Sequence, residues 1–159
     1  MLEDLKGVFY MDQTDLHILD ILQEDARISN SELAKRINLS PPAALSRVRK
    51  LEEEQIIERS TIILNAEKLG YDLLCFVFMS TNLHQTDELT ALETQLARMP
   101  EVLECCCLTG EYDYLLKVVI RNRRELETFV RRLNELGGTR IQTSLSLRRI
   151  KDTTSLPLR

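Results

Sequence analysis

Basic side chains crowd one stretch of this sequence. Residues 27–50 hold Arg27, Lys35, Arg36, Arg47, Arg49 and Lys50 against one acid, Glu32, a local charge of +5 in a chain of 159 residues whose net charge is −4. An arginine fork can pair with the O6 and N7 of guanine, and either cation can hold a phosphate, so the chemistry this grouping suits is recognition of nucleic acid. The acidic balance of the whole chain argues against a protein that coats nucleic acid nonspecifically, which takes many cations. Glu52, Glu53 and Glu54 follow at once and would repel DNA, which confines contact to the residues before them.

The other reactive side chains are cysteines and histidines. Cys105, Cys106 and Cys107 are consecutive, with Cys75 apart. Successive strand residues alternate faces, so Cys105 and Cys107 share a side and Cys106 points away, and three thiolates cannot converge on one tetrahedral metal. The spacing suits neither a disulfide framework nor a zinc ribbon. Reduced thiols buried as small apolar side chains are the expectation, with redox or sulfur-compound sensing as the alternative. His17 and His84 have no ligands or nucleophile at suitable spacing. No metal site, catalytic group or cofactor is expected.

Three helices must position the basic stretch. Asp12 is a good N-cap with Asp15 in the first turn, and Leu16, Ile18, Leu19, Ile21 and Leu22 give one broad apolar face, which predicts a helix to about Asp25. Ser29 and Glu32 stand in capping-box positions, with Ile28 and Leu33 placed as a hydrophobic staple, so an eight-residue second helix starts near Asn30. Asn38 can take the left-handed conformation that ends it, and Pro41 behind Ser40 opens a third. So short a second helix needs packing through Leu33 and Ile37. In the third helix Leu45, Val48 and Leu51 are assigned to the inner face, leaving Ala43, Ser46, Arg47, Arg49 and Lys50 on or beside the outer one. Small residues there let a helix approach base edges. Ser40, Ala43, Ser46, Arg47, Arg49 and Lys50, with Lys35 and Arg36 from the second helix, are the predicted contacts to double-stranded DNA. Residues 56–65, IIERSTIILN, alternate with β-branched side chains and read as a strand or small wing, with Arg59 reaching phosphate.

The pattern then changes. Residues 65–72, with Lys68 and Gly70, read as a connector. LLCFVFMST is a strand with Leu74, Phe76 and Phe78 on one face and Leu73, Cys75, Val77 and Met79 on the other; two apolar faces imply that another subunit covers one of them. Thr86 caps a helix ended by Pro100, a strand runs from Val102 to Thr109, a turn at GEYD leads to a strand from Tyr114 to Ile120, and Asn122 with Glu125 forms a capping box for a helix closed by Gly137 and Gly138. A last strand spans Arg140 to Ile150. The order βαββαβ is ferredoxin-like, so the fold class is α+β: an N-terminal winged helix-turn-helix (12–64), a connector (65–72), a C-terminal ferredoxin-like domain (73–151) and a tail (152–159). No apolar run approaches the roughly 20 residues of a membrane span. The first residues, MLEDLKGVFYMDQ, put acids ahead of a short apolar stretch, the wrong order for a secretory signal, and the cytoplasm follows as the expected compartment.

Over nearly the whole length the sequence resembles the Lrp/AsnC family of feast/famine regulators. SNSELAKRINLSPPAALSRVRKLEEEQII resembles the family's helix-turn-helix, PEVLECCCLTGEYDYLLKV its effector-domain core, and IKDTTSLPL its ending. The resemblance implies dimers paired through the C-terminal sheets, further assembly into octamers, and an amino acid bound between dimers. It places that effector at the G-x-x-D-Y turn, here Gly110, Glu111, Tyr112, Asp113 and Tyr114, preceded by Thr109, with Gln142, Thr143 and Ser144 of the last strand facing it across the interface. Glycine permits close backbone approach, its N–H neighbours can hold a carboxylate, and an aspartate can accept from an α-ammonium. Ala43, Ala44 and Ser46 depart from the larger or basic residues common there, which leaves the operator sequence unassigned. Siroheme decarboxylases share the architecture and supply the enzyme alternative, but they need no basic recognition face. A module that regulates an enzyme by contact is the third reading, and it predicts no DNA binding.

Overall fold

The computed structural model describes residues 10–158, so the reading of residues 1–9 as unlike a secretory signal lies outside the described residues. The chain divides into two compact units, one of residues up to 63 together with 151–159, the other of residues 64–150. The C-terminal tail thus belongs with the helical unit.

In the first unit, α1 (Gln13–Glu24) begins behind Asp12, α2 (Asn30–Arg36) behind Ser29, and α3 (Pro41–Glu53) behind Ser40. The α1 cap is a full capping box: Asp15 N–H donates to Asp12 Oδ1 at 2.9 Å, and Asp12 N–H donates to Asp15 Oδ2 at 3.1 Å. In α2, Ser29 Oγ accepts from Glu32 N–H at 3.2 Å, while the Glu32 carboxylate lies against Lys35 and Arg36. Asn38 takes φ 55°, as the turn into α3 requires. Asn30 Nδ2 donates to the Pro41 carbonyl at 2.8 Å and ties the start of α2 to the start of α3. Ile18, Leu19, Ile21, Leu33, Ala34, Ile37, Ala44 and Leu51 form the core.

Two expectations fail here. Leu45 is exposed and Ala44 is fully buried, so the inner face of α3 is rotated from the one read off the leucines, with Ala44 rather than Leu45 joining Leu51 in the core. Residues 56–65 form no strand; among the described residues this unit holds no other strand with which they could pair. The tail docks on α1: Leu156 N–H donates to Gln23 Oε1 at 2.6 Å, Gln23 Nε2 donates back to the Leu156 carbonyl at 3.2 Å, and Leu158 packs against the core.

The second unit opens with a 3-10 turn at Glu67–Leu69 closed by Gly70 at φ 82°. It continues as β1 (Leu73–Thr81), α4 (Thr86–Arg98), β2 (Val102–Cys107), β3 (Tyr114–Ile120), α5 (Arg123–Glu135) and β4 (Gly138–Leu145). All pairings are antiparallel in the order β2-β3-β1-β4, the ferredoxin-like arrangement. Cys75, Val77, Met79, Leu116, Val118 and Ile120 meet Leu92, Leu96, Phe129 and Leu133 from the helices. Leu74, Phe76 and Phe78 lie half-buried on the opposite face.

β4 ends at Leu145 rather than Ile150, since its partner β1 begins at Leu73 and the last bond is Ser146 N–H to the Leu74 carbonyl. β2 likewise ends at Cys107, where the turn starts. Gln85, not Thr86, is the N-cap of α4, and its side chain makes no capping bond. The cysteine expectation is also corrected: Cys75 is buried, but Cys105 and Cys107 are exposed and Cys106 half-buried, because β2 is an edge strand with a neighbour on one side only.

Candidate DNA-reading face and effector loop

Ser40 fixes the start of α3, its Oγ accepting from Ala43 N–H at 3.4 Å. Ser46, Arg49 and Lys50 are exposed along the helix and Ala43 is half-exposed at its start. Lys35 and Arg36 are exposed on α2, each partly neutralised by Glu32 at 3.9 and 3.7 Å. The outward surface of α3 is therefore small near its N-terminus and cationic along its middle, a profile that can enter a major groove.

Arg47 departs from the expectation that it lies on or beside that surface. Its Nη1 donates at 2.8 Å to both Asp12 Oδ2 and Asp15 Oδ1, so the guanidinium turns toward the N-terminus of α1. The hydrogen bonds to Asp15 and then Asp12 raise the pKa of Arg47 further. The Asp12 carboxyl is held below its usual range, first by the Asp15 backbone N–H and then by Arg47. Reading the sequence missed Asp12 and Asp15 as partners of Arg47; the signal was two aspartates three apart at a helix start, each able to serve the cap with one oxygen and a cation with the other.

In the second unit the turn 108–113 closes through Leu108 N–H to the Asp113 carbonyl at 2.7 Å, with Gly110 at φ 124°. A conformation with φ that positive favours glycine; a Cβ on Gly110 would meet nothing within 4 Å, so close approach within this chain is not what the position demands. Tyr112 folds over the open sheet face. Its ring lies 5.4 Å from that of Phe78, its hydroxyl donates to Gln142 Oε1 at 2.7 Å, and the Arg140 guanidinium stacks over it at 4.9 Å. Arg140 also meets Glu111 at 2.6 Å.

Thus Glu111, Tyr112 and Gln142 converge, with Arg140 as a member the sequence reading omitted although it shares a strand face with Gln142. Thr109 is exposed at the head of the same turn. Asp113 stands apart: its Oδ2 accepts from Thr81 N–H at 2.8 Å, where the β1–β4 register shifts, and its own N–H donates to the Met79 carbonyl. Thr143 also stands apart, because it pairs with buried Val77 on the helix-covered face while Gln142 and Ser144 pair with Phe78 and Phe76 on the other. Three consecutive strand residues cannot line one pocket from one face. Tyr114 is a core residue whose hydroxyl donates to Glu93 at 3.1 Å; burial and that bond push its pKa to about 12. Among the described residues no three His, Cys, Asp or Glu side chains are grouped to hold a metal.

Comparison with known proteins follows this division of the chain. The profile of the Lrp/AsnC ligand binding domain matches residues 74–156, and that of a winged helix-turn-helix DNA-binding domain matches residues 11–58. The chain belongs to the Lrp/AsnC family. The leucine-responsive regulatory protein of Rhizobium meliloti is 41% identical over 147 residues, covering 89% of this chain and 92% of that protein. A Neisseria meningitidis transcriptional regulator solved in complex with L-Met superposes with TM-score 0.88 at 36% identity, covering 94% of this chain and 97% of the other. An AsnC family regulator from Agrobacterium tumefaciens gives TM-score 0.88 at 32% identity over 93% and 97% of the two chains. This Lrp/AsnC protein is a DNA-binding transcriptional regulator and not an enzyme, and the decarboxylase alternative is set aside.

Proposed function

We propose that this Lrp/AsnC regulator reads double-stranded DNA through Ser40, Ala43, Ser46, Arg49 and Lys50 of α3 and its cap, with Lys35 and Arg36 of α2 against phosphates, and that an amino acid modulates the binding. The observation that carries the reading is the exposed cationic row on α3 behind a serine-capped turn. Two copies pair through the open sheet face, where Leu74, Phe76, Phe78, Leu115 and Val119 form a half-buried apolar surface opposite the face on which α4 and α5 pack. Octamers built from such dimers would place several recognition helices on one duplex, and the cytoplasm is where such a protein meets DNA.

The effector is an amino acid held by the 109–113 turn. The complex of a similar regulator with L-Met supports this, as do the exposed Thr109 and Gly110 and the convergence of Glu111, Tyr112 and Gln142. Thr143 and Ser144 reach a shared ligand only if different subunits supply them. The regulation is linkage: an effector that binds one assembly more tightly than another shifts the population and so the spacing of the α3 helices. The test is a melting screen of the full chain with each of the twenty amino acids, followed by binding to a duplex that the protein itself has selected from a randomised pool. A ligand of the folded state raises the melting temperature by mass action. The account expects selective stabilisation by a small subset and a change in duplex affinity with the same compounds; no selected duplex at low salt would remove the DNA-reading role.

A further inference from the structure

Arg47 is a cation of α3 whose guanidinium is committed to α1 by two hydrogen bonds of 2.8 Å. The four oxygens that surround it are all used. Asp12 gives Oδ1 to the Asp15 N–H and Oδ2 to Arg47; Asp15 gives Oδ2 to the Asp12 N–H and Oδ1 to Arg47. The capping box of α1 and the middle of α3 are thereby one closed network, with the Asp15 side chain only 8% exposed and Arg47 35% exposed. An arginine drawn out to a phosphate would leave two carboxylates facing each other, one of them buried, and such an uncompensated charge is costly. Ser46 and Arg49 lie exposed on the surface of the same helix.

We propose that Arg47 is a positioning residue that sets the pose of α3 against α1, and that it makes no contact with DNA. The inference rests on α3 being the reading helix, and it separates Arg47, which orients that helix, from the exposed Arg49, which touches DNA. Fixing the helix matters for base readout, because bidentate pairing at a base edge tolerates little misplacement, whereas phosphate attraction is long-ranged and forgiving. The two roles therefore leave different marks. A lost phosphate contact lowers the slope of log affinity against log salt by about one and weakens all duplexes alike. A lost pose weakens the selected duplex and leaves the slope and the scrambled duplex unchanged.

The experiment measures binding of the full chain to a duplex it has selected from a randomised pool, and to a scrambled duplex of equal length, across a salt series below the melting temperature of each variant. The variants are Arg47→Ala, Asp12→Asn and Arg49→Ala. Asn is as good an N-cap as Asp, so Asp12→Asn removes a carboxylate from Arg47 while keeping the cap and the arginine. Positioning predicts that Arg47→Ala loses tenfold or more on the selected duplex and less than twofold on the scrambled one, with the wild-type slope. It predicts a smaller loss of the same kind, about threefold, in Asp12→Asn, because a weakened clamp lets α3 move. A slope reduced by about one in Arg47→Ala, with both duplexes equally weakened, overturns the proposal, as does unchanged or tighter binding in Asp12→Asn, where a contacting arginine would have been released. Arg49→Ala separates the two levels: a slope lowered by one supports the reading helix whatever Arg47 does, and an unaltered slope in Arg49→Ala together with a lowered one in Arg47→Ala overturns the division of roles.

Discussion

At the residue scale, the Asp12–Asp15–Arg47 network holds two carboxylates on one guanidinium nitrogen at 2.8 Å each. Removing Arg47 strands a largely buried carboxylate, and Arg47→Ala is expected to lower stability by about 2–3 kcal/mol, less than a fully buried pair would because Arg47 keeps some water contact. The network also titrates. Asp12 has a folded pKa below its ordinary value, so its contribution is complete above the unfolded value of about 4 and is lost as pH falls through the folded one. Urea unfolding at pH 7 and pH 3 checks this: the drop between the two should be smaller in Asp12→Asn than in the wild type. Sequence made each member visible as a cap or a cation, but not the meeting of residues 32 and 35 apart, since whether Arg47 turns inward depends on the rotation of α3. The rotated face is marked by the buried Ala44, a residue too weakly hydrophobic to announce itself beside Leu45. The cysteine run shows the same limit. Its alternation was readable, its exposure was not, because exposure follows from β2 lying at the sheet edge. Thiol alkylation of the native protein should modify Cys105 and Cys107 ahead of Cys106, and Cys75 only on unfolding; since loss of hydration holds the Cys105 thiol above its usual range, with neighbouring Cys106 and Glu93 adding, the reaction should be slow at neutral pH.

At the scale of elements, the starts of α1, α2, α3 and α5 were legible because caps are local, whereas the cap of α4, Gln85, makes no side-chain bond and was placed one residue late. Ser29, Ser40 and Asn122 each accept the N–H three residues on, and that relation is written in four consecutive residues. Strand ends were not, because they depend on the partner: β4 stops where β1 has begun, whatever the apolar character of Leu147 and Ile150. The strand expected at 56–65 does not form, for the same reason. The tail is the element whose role was least visible, since nothing in IKDTTSLPL names Gln23 as its partner. Its docking makes the helical unit depend on residues more than 130 positions away in sequence. Leu158→Ala should destabilise that unit by about 1–2 kcal/mol, a partly buried leucine losing part of its transfer energy. Hydrogen exchange checks this, with α1 amides losing protection while those of β1 and β3 keep it.

At the scale of the whole molecule, a sheet with helices on one face and half-buried phenylalanines on the other is the surface through which the proposed function pairs two copies. A charge placed there is exposed in a monomer and costly in a dimer, so Phe76→Asp should shift the protein toward monomers in sedimentation or light scattering while the far-ultraviolet spectrum stays native. An unchanged mass would move the pairing surface elsewhere. Under the proposed function, the direction of regulation depends on how assembly spaces the α3 helices, which would link the effector loop to DNA without any contact between effector and DNA.

The most direct test of the account is the salt dependence of binding by the Arg49→Ala/Lys50→Ala double variant to a duplex selected by the wild type. If the exposed row on α3 meets the duplex, the variant binds more weakly and its log-affinity slope falls by about two per reading helix. An unchanged slope with unchanged affinity would contradict the claim that this face of α3 reads DNA.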